Sequence, residues 1–335
     1  MNRLVARWID KLSYAAWRRL VAHPAYSRMI VTQGTLASLR IRQMDRIGSL
    51  ADVEFRVFSQ FGEDGILEWL IHKNGEMPES FIEFGASNYV EANTRFLLTA
   101  RNWRGLIFDG DPHSIDVVRS DMIYSQHDLA ARHAFITREN VNQLFRSEGF
   151  CGEVGLLSID IDGNDYWVWD AIDSVSPHIV VVEYNAVLGD QFELTIPYQP
   201  NFARTQAHWS NLYYGTSITA LMRLAREKGY TLLGTNRAGN NAFFVRDDRL
   251  ERFDDRIATR APRPSRFREA RDTSDHLIFT GGLDRARLIA DCLVVDVASG
   301  RTASIESFGQ LYSQPWLDMI RGQSLPGAER DTRTV

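Results

Sequence analysis

The sequence predicts an α/β protein built on a doubly wound, mostly parallel seven-stranded sheet with an antiparallel edge strand, preceded by a helical N-terminal extension. Three observations carry the prediction. Short apolar runs ending on an acid beside a turn or polar residue recur at Phe81–Gly85, Leu106–Asp111, Leu156–Asp165 and Ile179–Asn185. Segments with helical spacing of apolar residues separate them, as parallel crossovers require. The last two strands are joined only by an Asn- and Gly-rich turn, too short for a crossover, so one of them must run antiparallel.

The elements follow in order. Residues 2–22 place Leu4, Val5, Trp8, Ile9, Leu12, Ala16 and Leu20 at helical spacing among five basic residues, which reads as a basic amphipathic helix. Ser59 to about Lys73 reads as a helix with Ile66, Leu67, Trp69, Leu70 and Ile71 on its apolar side. Strands are expected at 80–85, 105–109, within 122–136, and at 154–160, 179–184, 230–234 and 242–245. Helices are expected at 91–101, 112–121, 138–148, 164–173 and 216–228. Thr137 is the expected N-cap of the 138–148 helix, without a full capping box because no acid stands at the third helical position. Gly229 suits the residue after a helix end. Residues 247–272, with Pro262 and Pro264, read as a solvated excursion, 275–320 as a packed appendage and 324–335 as a polar tail. The expected division is therefore 1–54 as extension, 55–250 as the sheet domain and 251–335 as the C-terminal appendage.

Composition narrows the class. With 335 residues and 44% hydrophobic content the chain can bury a large core. No apolar run approaches the 18 or more residues of a membrane span, and the N-terminal segment lacks the apolar stretch of a cleaved leader. Cys151 and Cys292 have neither the number nor the spacing of a disulfide framework or zinc site, and the eight histidines are scattered, so a cytoplasmic setting is expected. The net charge of −5 is uneven: residues 1–50 carry +7. That asymmetry suggests an anionic partner for the extension and argues against nucleic acid for the body. Residues 2–22 therefore have two readings, packing on protein, including a second copy of the chain, or peripheral contact with the inner face of a membrane.

The acids at the strand ends sit where open α/β sheets bind ligands. After the first strand, Glu83-Phe84-Gly85-Ala86-Ser87-Asn88 has only the first glycine of a dinucleotide fingerprint, and Glu83 would repel a phosphate. A cation is the better guest, and S-adenosylmethionine carries an α-ammonium and a sulfonium. Asp109 could accept both ribose hydroxyls of an adenosine, or could instead cap the helix that Asp111-Pro112 begins.

The runs Phe81–Ala86, Asn93-Thr94, Leu106–Pro112 and Ser158-Ile159-Asp160-Ile161-Asp162-Gly163-Asn164-Asp165 resemble the successive motifs of FkbM-type class I S-adenosylmethionine methyltransferases, over roughly residues 55–250. Ser158 stands where that family often has lysine, and Asp162 where it has glutamate. Ser59–Gly65 resembles a segment that precedes the fold in related proteins and covers the cofactor; Ser59 as a helix cap is the equal alternative. The resemblance implies a Rossmann-like methyltransferase fold, with Gln60, Glu83, Gly85, Ala86, Asn93, Thr94, Asp109 and Asp111 at the cofactor. It implies O-methyl transfer to a hydroxyl of a sugar, lipid-linked glycan or secondary metabolite. Asp160 or Asp162 would act as base, and Glu183 and Asn185 would orient the acceptor. Asp160, Asp162 and Glu183, together with Asn185, could instead ligate Mg²⁺, since oxygen donors suit that cation.

Two competing readings remain at this point. Asp160-Ile161-Asp162 is also the Asp-x-Asp pattern of metal-dependent glycosyltransferases, and the fold could serve as a non-catalytic nucleoside-binding or membrane-tethered module. Tyr198, Trp209, Tyr213 and Tyr214 fall where a loop over the acceptor would lie, or else pack as local core.

Overall fold

A computed structural model describes residues 24–322. The amphipathic segment 2–22 and the polar tail from 324 lie outside the described residues. The first half comprises α1 (Pro24–Arg42), α2 (Glu63–Asn74), β1 (Ser80–Phe84), α3 (Arg95–Arg101), β2 (Arg104–Asp109), α4 (Pro112–Ser120), α5 (Met122–Gln126), β3 (Leu129–His133) and α6 (Val141–Ser147). It continues with β4 (Gly152–Ile159), α7 (Asp165–Ala171), β5 (Val175–Glu183), β6 (Leu194–Thr195), α8 (Arg204–Ala207), α9 (Ile218–Glu227), β7 (Tyr230–Thr235) and β8 (Asn241–Arg246). The last elements are α10 (Asp284–Arg287), β9 (Leu293–Asp296), β10 (Arg301–Ser304) and α11 (Gln314–Ile320).

Seven strands form one sheet in the order β3-β2-β1-β4-β5-β8-β7. Strands β1 to β5 are parallel, and β8 pairs antiparallel with both β5 and β7. The hairpin β7–β8 thus closes that side of the sheet, with β7 outermost. From β1 the chain winds outward through β2 and β3, then returns to place β4 on the other side of β1. Strand order reverses at that point, and a crevice opens beyond the strand ends.

Period-two alternation distributes the strand side chains between two cores. Ile82, Phe84, Leu106, Phe108, Leu157 and Val182 face the layer of α6, α7 and α9, whereas Phe81, Ile107, Leu156 and Val181 face α1 to α4. Glu83 shares the parity of Phe81, so its carboxyl is directed toward α3. The appendage joins the first layer: Ile289, Val294, Trp316 and Leu317 belong to the same apolar cluster as Leu157 and Val182, and β9 pairs with β6. Two local expectations are refined. Within 122–136 a short helix, α5, precedes β3. The expected 138–148 helix begins only at Val141, with Asn140 and not Thr137 at its N-cap position; Thr137 instead closes the turn before it, accepting the Asn140 N–H (3.3 Å) while the Asn140 side chain accepts the Thr137 N–H at 2.9 Å.

The start of α2 rests on the backbone before it. A Cβ at Gly65 would lie 2.1 Å from the Val53 carbonyl oxygen and 2.3 Å from the Phe55 nitrogen. Gly65→Ala should therefore destabilise the fold by about 3 kcal/mol, because backbone cannot give way as a side chain can. Gly229→Ala meets nothing within 4 Å and bears only the left-handed backbone at φ +77°, a cost of about 1–2 kcal/mol. Urea unfolding of both variants checks the ranking.

Candidate active site

The turn after β1 is built around one glycine. Gly85 has φ +67°, and a Cβ there would lie 1.7 Å from the Asp160 carbonyl oxygen, so the ends of β1 and β4 touch through backbone. Ala86 is buried and donates its N–H to the Phe108 carbonyl, which ties the turn to β2 as well. Ser87 and Tyr89 follow at φ +47° and +57°, an uncommon conformation for residues with side chains. Asp109, at the end of β2, braces this bend: its carboxylate accepts the Ser87 N–H at 2.7 Å and the Asp111 N–H at 2.8 Å. Two oxygens with two bonds leave Asp109 further acceptor capacity toward the exposed side of the turn. The helix cap is Asp111, which accepts from the His113 and Ser114 backbone and from the Ser114 hydroxyl.

Glu83 departs from its expected role as an acid facing a cationic guest. One carboxylate oxygen accepts the Asn93 N–H at 2.9 Å, and the other accepts the Thr94 N–H at 3.2 Å and the Thr94 hydroxyl at 2.5 Å. The Asn93 amide reaches across to the Ser158 hydroxyl on β4. Asn93 and Thr94 are thus partners of Glu83, and the three fix the entry to α3. Burial raises the Glu83 pKa to about 7, against the pull of its Thr94 and Asn93 hydrogen bonds.

Beyond β4 and β5 the picture differs. The carboxylate oxygens of Asp160, Asp162 and Glu183 lie within 4.8 Å of one another. Asp160 is partly accessible, Asp162 is exposed, and Glu183 is buried with its Oε2 unpartnered. Burial pushes the Asp160 carboxyl well above the ordinary range, and Asp162 and Asp165 add to it. The Glu183 carboxyl is raised likewise, by burial and then by Asp160. Two carboxylates in one low-dielectric site resist ionising together. The loop that presents them is set by Asp165, which accepts the Ile161 and Gly163 N–H groups, both at 2.9 Å, while Asp162 takes φ +54°.

Asn185 is not a free orienting group. Its amide donates to the Leu212 and Tyr214 carbonyls and its oxygen accepts the Val187 N–H, so it anchors the 211–216 loop. Gln60 is exposed, on a loop whose Val57, Phe58 and Ser59 N–H groups all converge on Asp64. That loop abuts the turn after β1, since Ala92 donates to the Phe58 carbonyl. The three tyrosines singled out in the 198–215 segment all have structural roles. Tyr198 packs on Trp167 and bonds Glu139, Tyr213 donates to the Leu293 carbonyl, and Tyr214 is buried; Trp209 faces solvent.

Sequence reasoning missed the cation of the site. Arg204 on α8 pairs with Asp162 at 2.6 Å and Glu269 at 3.2 Å, donates to the Asn211 carbonyl, and lies 3.7 Å over the Tyr214 ring. Burial opposes its charge, but Tyr214, Asp162, Glu269 and Glu183 outweigh that. No local pattern marks an arginine 42 residues from its partner. Among the described residues His208, Asp291 and Cys292 also bring ligand atoms within 4.8 Å, a grouping that spacing along the chain does not reveal. No helix among them is long and apolar enough to cross a membrane.

No family model matches the sequence, and no curated protein matches it either. Solved structures with some similarity include an O-methyltransferase from Bacillus cereus in complex with SAH (12% identity, covering 64% of this chain and 79% of that one, TM-score 0.34). Others are an O-methyltransferase family protein from Burkholderia thailandensis (13%, 70% and 69%, TM-score 0.33) and an S-adenosylmethionine-dependent methyltransferase from Clostridium acetobutylicum (8%, 55% and 90%, TM-score 0.35).

Proposed function

We propose that the chain is an S-adenosylmethionine-dependent methyltransferase of FkbM type that methylates a hydroxyl of a sugar, lipid-linked glycan or other small molecule. The observation that carries this reading is the carboxylate cluster of Asp160, Asp162 and Glu183, open at Asp162 and closed over an unpartnered Glu183 oxygen, beside the strand reversal at Gly85. The motif resemblance of the same residues agrees with it. A dinucleotide is disfavoured, because the turn after β1 offers one glycine and three acids lie nearby. The same acids count against the nucleotide-sugar diphosphate of a glycosyltransferase.

The residues fit the cofactor in one respect the structure makes specific: Asp109 retains lone pairs beside a turn whose backbone is already bent and braced. Asp109 and the 85–88 turn would hold the adenosine, and Gln60 lies on the loop that abuts it. When bound, the cofactor supplies a methyl group on a positively charged sulfur. Asp160, partly accessible and with an elevated pKa, takes the proton of the acceptor hydroxyl; general bases of this kind contribute about 10²–10⁴-fold. Arg204 steadies Asp162 and offsets part of the repulsion among the acids.

Asp160, Asp162 and Glu183 also fit a divalent cation, since all three offer hard oxygen donors and Glu183 has a buried oxygen without a partner. Mg²⁺ there would acidify a bound hydroxyl. It would have to compete with Arg204 for Asp162.

Asp109→Ala should weaken S-adenosylmethionine binding by about tenfold or more in calorimetric titration, as expected for lost charge-assisted hydrogen bonds. Asp160→Asn should leave that affinity within a few-fold and depress turnover by about 10²-fold or more. Unchanged affinity in the first variant removes the ribose role of Asp109.

The pH dependence has a definite sign. Asp160 and Glu183 hold a proton more tightly in the folded chain than at their ordinary values of 3.8 and 4.5. The stability conferred by the protonated pair is complete below those values and declines as pH rises through the raised ones. Turnover should climb over that same upper range as the base ionises. A pH–rate profile checks this, and Glu183→Gln should move the limb to lower pH by removing one negative neighbour. A wild-type limb at ordinary carboxylate pH contradicts the assignment.

A further inference from the structure

Between the β7–β8 turn and residues 259–266 lies a cleft of about 640 Å³, with Arg237, Arg263 and Arg266 in its wall and no acidic residue among its lining. That volume falls within the range of small-molecule sites, roughly 300–1,000 Å³. Residues 256–271 contain six arginines and one acid, Glu269, in a chain whose net charge is −5. Several of these arginines are neutralised locally: Arg256 pairs with Asp45, Arg260 with Asp254 and Arg271 with Asp275. Arg263 and Arg266 differ. Among the described residues neither has a carboxylate within ion-pair distance, and each makes one side-chain contact at the outer limit of a hydrogen bond. Arg263 reaches the Ser49 hydroxyl and Arg266 the Met319 carbonyl, both at 3.5 Å. Glu54, which pairs with Arg237 at 3.4 Å, is the nearby counter-charge, and it is shared electrostatically with Arg263. Two positive charges remain in excess.

The backbone under these side chains is pinned. The Tyr184 hydroxyl donates to the Arg263 carbonyl at 2.5 Å, and the Trp316 indole donates to the Pro262 carbonyl at 3.2 Å. Buried Arg285 grips the hydroxyl and carbonyl of Ser265, both at 2.8 Å. A Cβ at Gly239 would lie 2.7 Å from the Pro264 carbonyl, so turn and segment touch directly. Guanidinium forks on a rigid base suit the oxygens of a phosphoryl group, and an apolar wall of Pro262, Pro264 and Met319 suits the body attached to it. The Tyr184 hydroxyl bond ties the Arg263 backbone to the chain just after β5, one residue beyond Glu183.

The geometry points to a phosphoryl-recognition site, in which Arg263 and Arg266, assisted by Arg237, bind a phosphate ester or diphosphate carried by the methyl acceptor. Its description as the acceptor's anchor rests on the methyl-transfer reading; the site itself does not. The test titrates the full chain with pyrophosphate, and in parallel sediments it with phosphatidylcholine vesicles with and without phosphatidic acid. The variants are Arg263→Gln with Arg266→Gln, and Arg268→Gln as a control from the same basic segment outside the cleft. Circular dichroism melts verify folding, and Arg266→Gln alone serves if the double variant is unstable. The cleft variants should lose about tenfold or more of the affinity, and the control under about twofold. Loss in the pyrophosphate arm identifies a soluble phosphate source, and loss confined to the phosphatidic acid arm a lipid headgroup. No dependence on the cleft arginines in either arm, or equal loss in the control, overturns the site. A separate titration with S-adenosylmethionine keeps the outcomes apart: arginine-dependent phosphoryl binding without cofactor binding would sink the enzyme reading and leave the cleft standing.

Discussion

The backbone contact between Gly85 and Asp160 is the constraint on which the candidate site depends. Parallel pairing of β1 and β4 brings their ends side by side where strand order reverses, and the absence of a side chain at position 85 lets the two turns meet. Any Cβ there would push the Asp160 loop away from β1. The consequence is that the turn after β1, the Asp109 carboxylate and the acid cluster form one continuous rim.

Within that rim the acids divide by what their oxygens touch. Asp64, Glu83, Asp109, Asp111 and Asp165 each accept two or more donors from the protein, chiefly backbone N–H groups, and so shape loops that would otherwise leave those donors unmet. Glu183 is buried with an unpartnered oxygen and Asp160 beside it is partly accessible, and burial raises both carboxyls. These perturbed carboxyls beside an accessible Asp162 are the observation on which the proposed function rests.

The C-terminal part completes the rim. Glu269 shares Arg204 with Asp162, Phe61 stacks on Phe267 at 5.2 Å, and the Arg263 carbonyl receives the Tyr184 hydroxyl. These bonds join the loop before α2, the end of β5 and the segment after β8. The arginine-rich stretch, which reads in isolation as a solvated linker, is thereby presented as a wall beside the acids. Glu269 of this stretch meets the Arg204–Asp162 pair, while Arg263 and Arg266 line the cleft.

The alternation of apolar runs and helical segments was enough to determine the seven strands, their mostly parallel sheet and the closing hairpin, because period and turn chemistry are local properties of the chain. Strand ends could likewise be located, and with them Asp109, Asp160, Asp162 and Glu183. What the tertiary structure decided was the partner of each group. Glu83 and Asn185 read as site residues from position alone, yet their partners Thr94, Leu212 and Tyr214 are set by packing. The Arg204 contact with Asp162 and Glu269 and the cleft at Arg263 and Arg266 are not legible along the chain, since an ion pair or cleft between residues tens of positions apart exists only after the loops have folded over the sheet.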